Sequence, residues 1–169
     1  ADAEQNCFGE NYLQEALIKI EALADLDLQW HFIGPIQSNK TKDIAQNFDW
    51  VQSVDRIKIA QRLNTQRPDS LPALNVCVQV NIDDEKSKSG TSAAELDLLV
   101  HEINQLDRLV LRGLMVIPTK TDNIEQQHSA FQRAHRLFTG LQDQYATVDT
   151  LSMGMTADMN PVIAQGSTM

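Results

Sequence analysis

Leu74-Asn75-Val76-Cys77-Val78-Gln79-Val80-Asn81-Ile82 decides the fold. The run is rich in β-branched residues and too short for a typical helix, and it is apolar enough to be a strand covered on both faces, as strands of parallel sheets are. Toward the C-terminus, residues 92–106 carry Leu96, Leu99, Val100 and Ile103 on one helical face. Residues 109–118 return to a strand pattern, and residues 123–144 form the longest amphipathic stretch, along Phe131, Ala134, Leu137, Phe138 and Leu141. A strand over 148–154 and a short helix over 158–165 follow, with Gly166 where a helix stop is expected. Toward the N-terminus come a loop at 65–72, a helix at 55–64 with Asp55 placed to cap it, a strand at 50–54 and a helix at 38–47. Before them lie an apolar strand closed by Gly34-Pro35, a helix at 10–28 and the stub of a strand at Cys7-Phe8.

About six strand–helix pairs in strict alternation predict an α/β fold of parallel strands joined by right-handed crossovers. Two architectures satisfy this, an open doubly wound sheet and a closed (β/α) barrel. No Gly-x-Gly-x-x-Gly follows any strand, which weighs against the dinucleotide-binding version of the first. With 169 residues and no linker or internal repeat, one domain spanning residues 1–169 is expected.

The charge of −9 arises from 23 acids against 14 bases with no basic run, so nucleic acid is not an expected partner. No apolar run approaches the roughly 18 residues of a membrane span. A small phosphorylated ligand is still compatible, because a few backbone N–H groups suffice to bind one phosphate in an acidic protein. Cys7 and Cys77 stand alone, so neither a disulfide framework nor a zinc site is suggested and a cytoplasmic setting fits. The four histidines are scattered, and there is no Gly-x-Ser-x-Gly or His-Glu-x-x-His, so neither metal binding nor hydrolytic catalysis is expected. The sequence opens without methionine and Met169 follows Gly166-Ser167-Thr168 directly, so a longer parent chain is expected.

In α/β barrels functional groups gather where strands end, which singles out the polar residues after each apolar run. Asn11 also reads as a helix cap, Ser38 and Asn39 likewise, Ser89-Gly90 as a turn, and Lys86 and Lys88 as a solvated charge cluster. His31, between Trp30 and Phe32, reads as a hydrogen-bonded core histidine rather than a ligand or base. Ser152-Met153-Gly154 carries more weight, because a hydroxyl and a glycine at a strand end let backbone N–H groups approach an anion. A helix starting at about Asp158 would add its dipole.

Six motifs occur together in order: Phe8-Gly9-Glu10-Asn11-Tyr12, the run 30–40 (Trp-His-Phe-Ile-Gly-Pro-Ile-Gln-Ser-Asn-Lys), Ser87-Lys88-Ser89-Gly90, Arg112-Gly113-Leu114-Met115, Leu151-Ser152-Met153-Gly154-Met155 and Gly166-Ser167-Thr168. With them the chain resembles the pyridoxal 5′-phosphate (PLP) homeostasis proteins, the YggS/PLPBP family, whose fold is similar to the barrel domain of alanine racemase. The resemblance implies a TIM-type (β/α)8 barrel, here with about six strands, and a PLP carrier or regulator in B6 and amino-acid homeostasis rather than an enzyme. It implies that Asn11 lies beside the cofactor ring, that Met115 lines the pocket, and that Ser152 with the Met153 and Gly154 backbone holds the phosphate. His31, Gln37, Asn39 and Lys88 lie in the motifs without an assigned contact.

In the family the Schiff-base lysine sits on a strand well before the first motif, and an Arg-Ile-Gly turn follows Gly-Ser-Thr. Only seven residues precede Phe8 here and Met169 follows Thr168, so neither segment is in the sequence. Two other functions are weighed beside the carrier. A racemase-like PLP enzyme needs a second base, commonly tyrosine, and only Tyr12 and Tyr145 are present; the other is a fragment without covalent PLP chemistry. A monomer is expected.

Overall fold

The computed structural model describes residues 5–85, 87–119, 121, 123–154 and 159–169, with the side chains of 159–161 left aside. Six strands alternate with helices. They are β1 (Cys7–Glu10), β2 (Gln29–Phe32), β3 (Trp50–Val54), β4 (Leu74–Val80), β5 (Leu109–Val116) and β6 (Thr150–Met153). The helices between and after them are α1 (Leu13–Ala22), α2 (Thr41–Asn47), α3 (Ile57–Gln66), α4 (Leu96–Ile103), α5 (Ile124–Gln142) and α6 (Met159–Ala164), with a 3₁₀ turn over Ser38–Lys40 leading into α2.

Every strand pairs in parallel with the next one in sequence, giving the order β1-β2-β3-β4-β5-β6. A doubly wound sheet must reverse its strand order at a switch point. This one never does, which settles the choice of architecture in favour of an incomplete TIM-like barrel.

One face of the sheet packs on the helices. Phe32, Val51, Val76, Val78, Leu114 and Leu151 meet Ala16, Ile44, Phe48, Ile59, Leu63, Phe131 and Phe138 in a continuous buried core. Phe32 meets Phe48 edge-on, with centroids 5.3 Å apart. The alternate strand positions point to the other face, where Trp50, Cys77 and Met115 form a second, smaller buried group. Period-2 alternation on a sheet buried on both sides therefore explains why these strands read as continuous apolar runs.

Beyond α6 the chain returns to β6. Thr168 N–H donates to the Leu151 carbonyl at 3.0 Å, and Leu151 N–H donates to Thr168 Oγ1 at 2.8 Å. Among the described residues β1 pairs only with β2, and no helix is long and apolar enough to cross a membrane.

Some expected boundaries shift. The first helix begins at Leu13, because residues through Glu10 join the sheet, and its N-cap is Tyr12 with no side-chain cap, so Asn11 does not cap it. Asp55 does not cap α3: Arg56 occupies the N-cap in an extended conformation, and the Asp55 carboxylate pairs with the Arg56 guanidinium. The helix expected from residue 92 begins at Leu96, because Ser92 Oγ is taken by the Glu95 carboxylate at 2.8 Å in the preceding turn. Asn123 does cap α5, accepting from Gln126 N–H.

Candidate functional site

The inner face of the sheet carries a polar chain. His31 is buried, and its Nδ1 lies 3.0 Å from Gln52 Nε2 while its Nε2 lies 3.0 Å from Gln29 Oε1. Ser152 Oγ donates to Gln52 Oε1 at 2.6 Å. Three strands are thereby joined through side chains alone, β2 through Gln29 and His31, β3 through Gln52, and β6 through Ser152.

Next to this chain lies a stack. The His31 ring is parallel to Trp50 within 10°, centroids 5.1 Å apart, and the Arg112 guanidinium sits 4.7 Å from the other ring system's centroid. Arg112 is held by both Asp149 carboxylate oxygens and by Asn75 Oδ1 at 2.9 Å. Partial burial works against ionisation of Asp149, but its hydrogen bonds from Arg112 hold it below the usual carboxylate range. Burial pushes the Cys77 thiol up to about 12, so it is neutral and inert in the floor of the sheet.

Burial is also the main influence on His31, bringing its pKa down from the usual 6.5 to about 4 against the opposing pull of Asp49. The unfolded chain therefore takes up the proton first. Stability is complete above about pH 6.5, falls as the pH drops toward 4 and levels off below it. At pH 5 the protein is expected to be roughly 2 kcal/mol less stable than at pH 7 on this account. Urea unfolding at the two pH values measures it, and His31→Gln should remove most of the difference.

A cleft of about 340 Å³ opens on the polar chain. Its walls come from Phe8 and Gly9 on one side and Ser152, Met153 and Gly154 on the other, with His31 and Gln52 between. The first and last strands of the sheet thus line one space. That volume lies in the range of small-molecule pockets. Gly154 has φ +97°, and an added Cβ would meet Val162 Cγ2 at 2.6 Å, so the turn out of β6 requires glycine.

The residues expected at the site are distributed as follows. Ser152, Met153 and Gly154 line the cleft, although the Met153 side chain packs in the main core. Met115 is Ser152's register partner on β5 and is buried beside Trp50 rather than exposed in the cleft. Asn11 lines a neighbouring cleft of about 410 Å³ with Tyr12, Phe32, Gln37 and Lys40. Lys88 Nζ donates to the Pro118 carbonyl at 2.8 Å. Lys86, Met155 and Asp158 lie outside the described residues. His31 is the hydrogen-bonded interior histidine the sequence suggests. Arg112 stands in one of the quoted motifs, whereas Trp50, Gln52 and Gln29 are members of the constellation that sequence reading missed. Their only signal is that alternate positions of neighbouring strands share a face.

The cleft suits part of a PLP molecule. A hydroxyl and the Gly154 turn are available to a phosphate, and a buried aromatic and imidazole surface lies below them. No lysine lines the cleft among the described residues, so nothing there matches the aldehyde. Among those residues no group of three or more His, Cys, Asp or Glu is arranged to hold a metal.

Comparison with known proteins gives consistent matches. The family model described as "Alanine racemase, N-terminal domain" matches residues 1–168. The Pyridoxal phosphate homeostasis protein of Pseudomonas aeruginosa is 57% identical over 161 residues, covering 95% of this chain and 69% of that protein. The solved structure of PipY from Synechococcus elongatus PCC7942 with PLP bound is 34% identical and superposes with a TM-score of 0.88, over 99% of this chain and 79% of PipY. An alanine racemase of Clostridium difficile, at 13% identity and a TM-score of 0.67 over 89% of this chain and 40% of the racemase, shares the fold.

Proposed function

The chain belongs to the alanine racemase N-terminal domain family, and from that premise we propose that, as a single barrel domain, it binds PLP in the cleft between β1 and β6 and serves PLP homeostasis rather than catalysis. The observation that carries the reading is the convergence of Gly9, His31, Gln52, Ser152 and Gly154 on one cleft of about 340 Å³. Relatives named for pyridoxal phosphate homeostasis and a neighbour with PLP bound support the ligand. In this reading Ser152 Oγ and the Met153–Gly154 backbone hold the phosphate. Met115 underlies the ring from the adjacent strand, and Asn11 approaches from the loop after β1. PLP supplies an electrophilic aldehyde when bound; the part of this chain is to orient and shelter it.

A carrier is favoured over a racemase-like enzyme because neither tyrosine lines the cleft: Tyr12 is exposed in the neighbouring one, and Tyr145 packs against the core. Cys7 and Cys77 are free thiols, which suits the cytoplasm.

Equilibrium dialysis tests the phosphate assignment. PLP should bind measurably and pyridoxal, which lacks the phosphate, far more weakly. A hydrogen bond to a charged group contributes about 1.5–3 kcal/mol, so Ser152→Ala should weaken PLP binding roughly 10- to 100-fold. Equal affinity for PLP and pyridoxal would remove the assignment. PLP-dependent α-proton exchange on alanine above the rate of free PLP would instead favour the enzyme, and stoichiometric borohydride-stable attachment at one residue, for instance Lys88, would contradict non-covalent binding by this chain.

A further inference from the structure

The hydrogen bonds between Ser152 and Gln29 all run the same way, and side-chain chemistry explains why. Gln52 is buried, and its Nε2 faces both His31 Nδ1 at 3.0 Å and the Met169 sulfur at 2.9 Å. A thioether can only accept, so the amide nitrogen belongs on that side. The amide oxygen is left to accept from Ser152 Oγ at 2.6 Å. Because His31 Nδ1 accepts, its proton resides on Nε2, which donates to Gln29 Oε1 at 3.0 Å. The Ser152 hydroxyl has one proton, and in this arrangement Gln52 holds it.

A phosphate dianion also only accepts. If it draws the Ser152 proton, Gln52 Oε1 is left as a buried acceptor without a donor, which is costly. Stacking on Trp50 restrains the His31 ring from rotating to fill the gap. One rearrangement keeps the links from Ser152 to Gln29 paired: the chain reverses, and the Met169 thioether, an acceptor that the turned amide oxygen no longer suits, gives up its contact with Gln52. Gln52 turns its amide to donate to Ser152 Oγ and to accept from His31 Nδ1. The imidazole releases one proton from Nε2 to solvent and takes one on Nδ1, with no net change, and Gln29 turns to donate to Nε2.

We propose that Gln52 and His31 are positioning residues for a phosphate-bearing ligand, and that binding at Ser152 reverses this chain and moves the His31 proton from Nε2 to Nδ1. The inference rests on the reading that such a ligand occupies the β1–β6 cleft. Its distinguishing property is that a change at the hydroxyl is carried across two strands to a ring outside direct contact with Ser152.

The test uses the whole chain with ¹⁵N-labelled histidine near neutral pH, since the ¹⁵N shift separates protonated from unprotonated ring nitrogens. Without added ligand His31 should carry its proton on Nε2; at saturating PLP it should carry it on Nδ1, and an equal concentration of pyridoxal should leave it on Nε2. Ser152→Ala, loaded with enough PLP to offset its weaker affinity, should retain the Nε2 proton. Gln52→Leu, which can neither donate nor accept, should uncouple His31 from PLP and bind it roughly tenfold more weakly. If dialysis demonstrates PLP binding and the His31 tautomer stays fixed, the reversal is wrong while the function stands. A shift that persists in Ser152→Ala also overturns it. If PLP does not bind at all, both fail together.

Discussion

Gly113→Ala is expected to cost this protein most or all of its folded population. Gly113 stands in β5 with φ +146°, a backbone region that side chains disfavour. The larger obstacle is steric, because a Cβ there would lie 1.8 Å from the Thr150 carbonyl oxygen, the neighbouring strand's own backbone. No rotamer change can relieve a clash with a backbone atom inside a ladder, so β6 would have to separate from β5. The register accounts for the glycine: Val76 pairs with Leu111 and Cys77 with Gly113, leaving Arg112 as the extra residue of a bulge. That bulge accompanies the placement of Arg112 against Asp149, Asn75 and Trp50. Among single substitutions, losses above about 4 kcal/mol come from defects of this kind. Urea unfolding and soluble yield measure the outcome, and a variant within about 1 kcal/mol of the parent would mean that the bulge is not required.

Arg67→Met is expected to be the next most damaging change, at about 3 kcal/mol. Arg67 follows α3 and is buried, and its guanidinium donates to the carbonyls of Ala45, Phe48 and Pro72 at 2.7–2.8 Å. Ala45 and Phe48 lie at the end of α2, where carbonyls have no helical partner. One side chain thus closes α2 and fixes the loop before β4. Burial lowers the Arg67 pKa from its ordinary value, against the pull of Asp49, yet a guanidinium remains charged. Methionine keeps the aliphatic stem and removes all donors, isolating the polar contribution from packing. Arg67→Lys should recover only a minor part, since an ammonium is a point charge that lacks the planar fork. If Arg67→Met unfolds at the parent's urea concentration, the three carbonyls must find water, and the proposed role is wrong.

Much of the architecture can be read from the sequence, because strands covered on both faces are concentrated apolar runs. Residues 74–82 and 109–118 stand out for that reason, and the structure places β4 and β5 within them. Helix starts are harder, as turns compete locally for the same residues; Ser92 bonding Glu95 and Asp55 pairing with Arg56 are two cases. The Ser152 turn is legible because hydroxyl, glycine and strand end are adjacent in sequence. The Gln29–His31–Gln52–Ser152 chain is not. Each member looks like an isolated polar residue in an apolar strand, and only the curl of the sheet brings position 152 beside position 52. Asn11 makes the complementary point: a strand end is readable, but the gap between strands into which it opens is not.

The sequential strand order governs how the molecule comes together. Paired strand residues are 19 to 37 positions apart along the chain, so each pairing closes a loop of modest and similar entropy. The sheet can grow from any internal pair outward, one βα unit at a time, even while the polypeptide is being synthesised. Only the cleft needs both outer strands at once. Capture of a ligand there therefore reports that β1 and β6 are both in place.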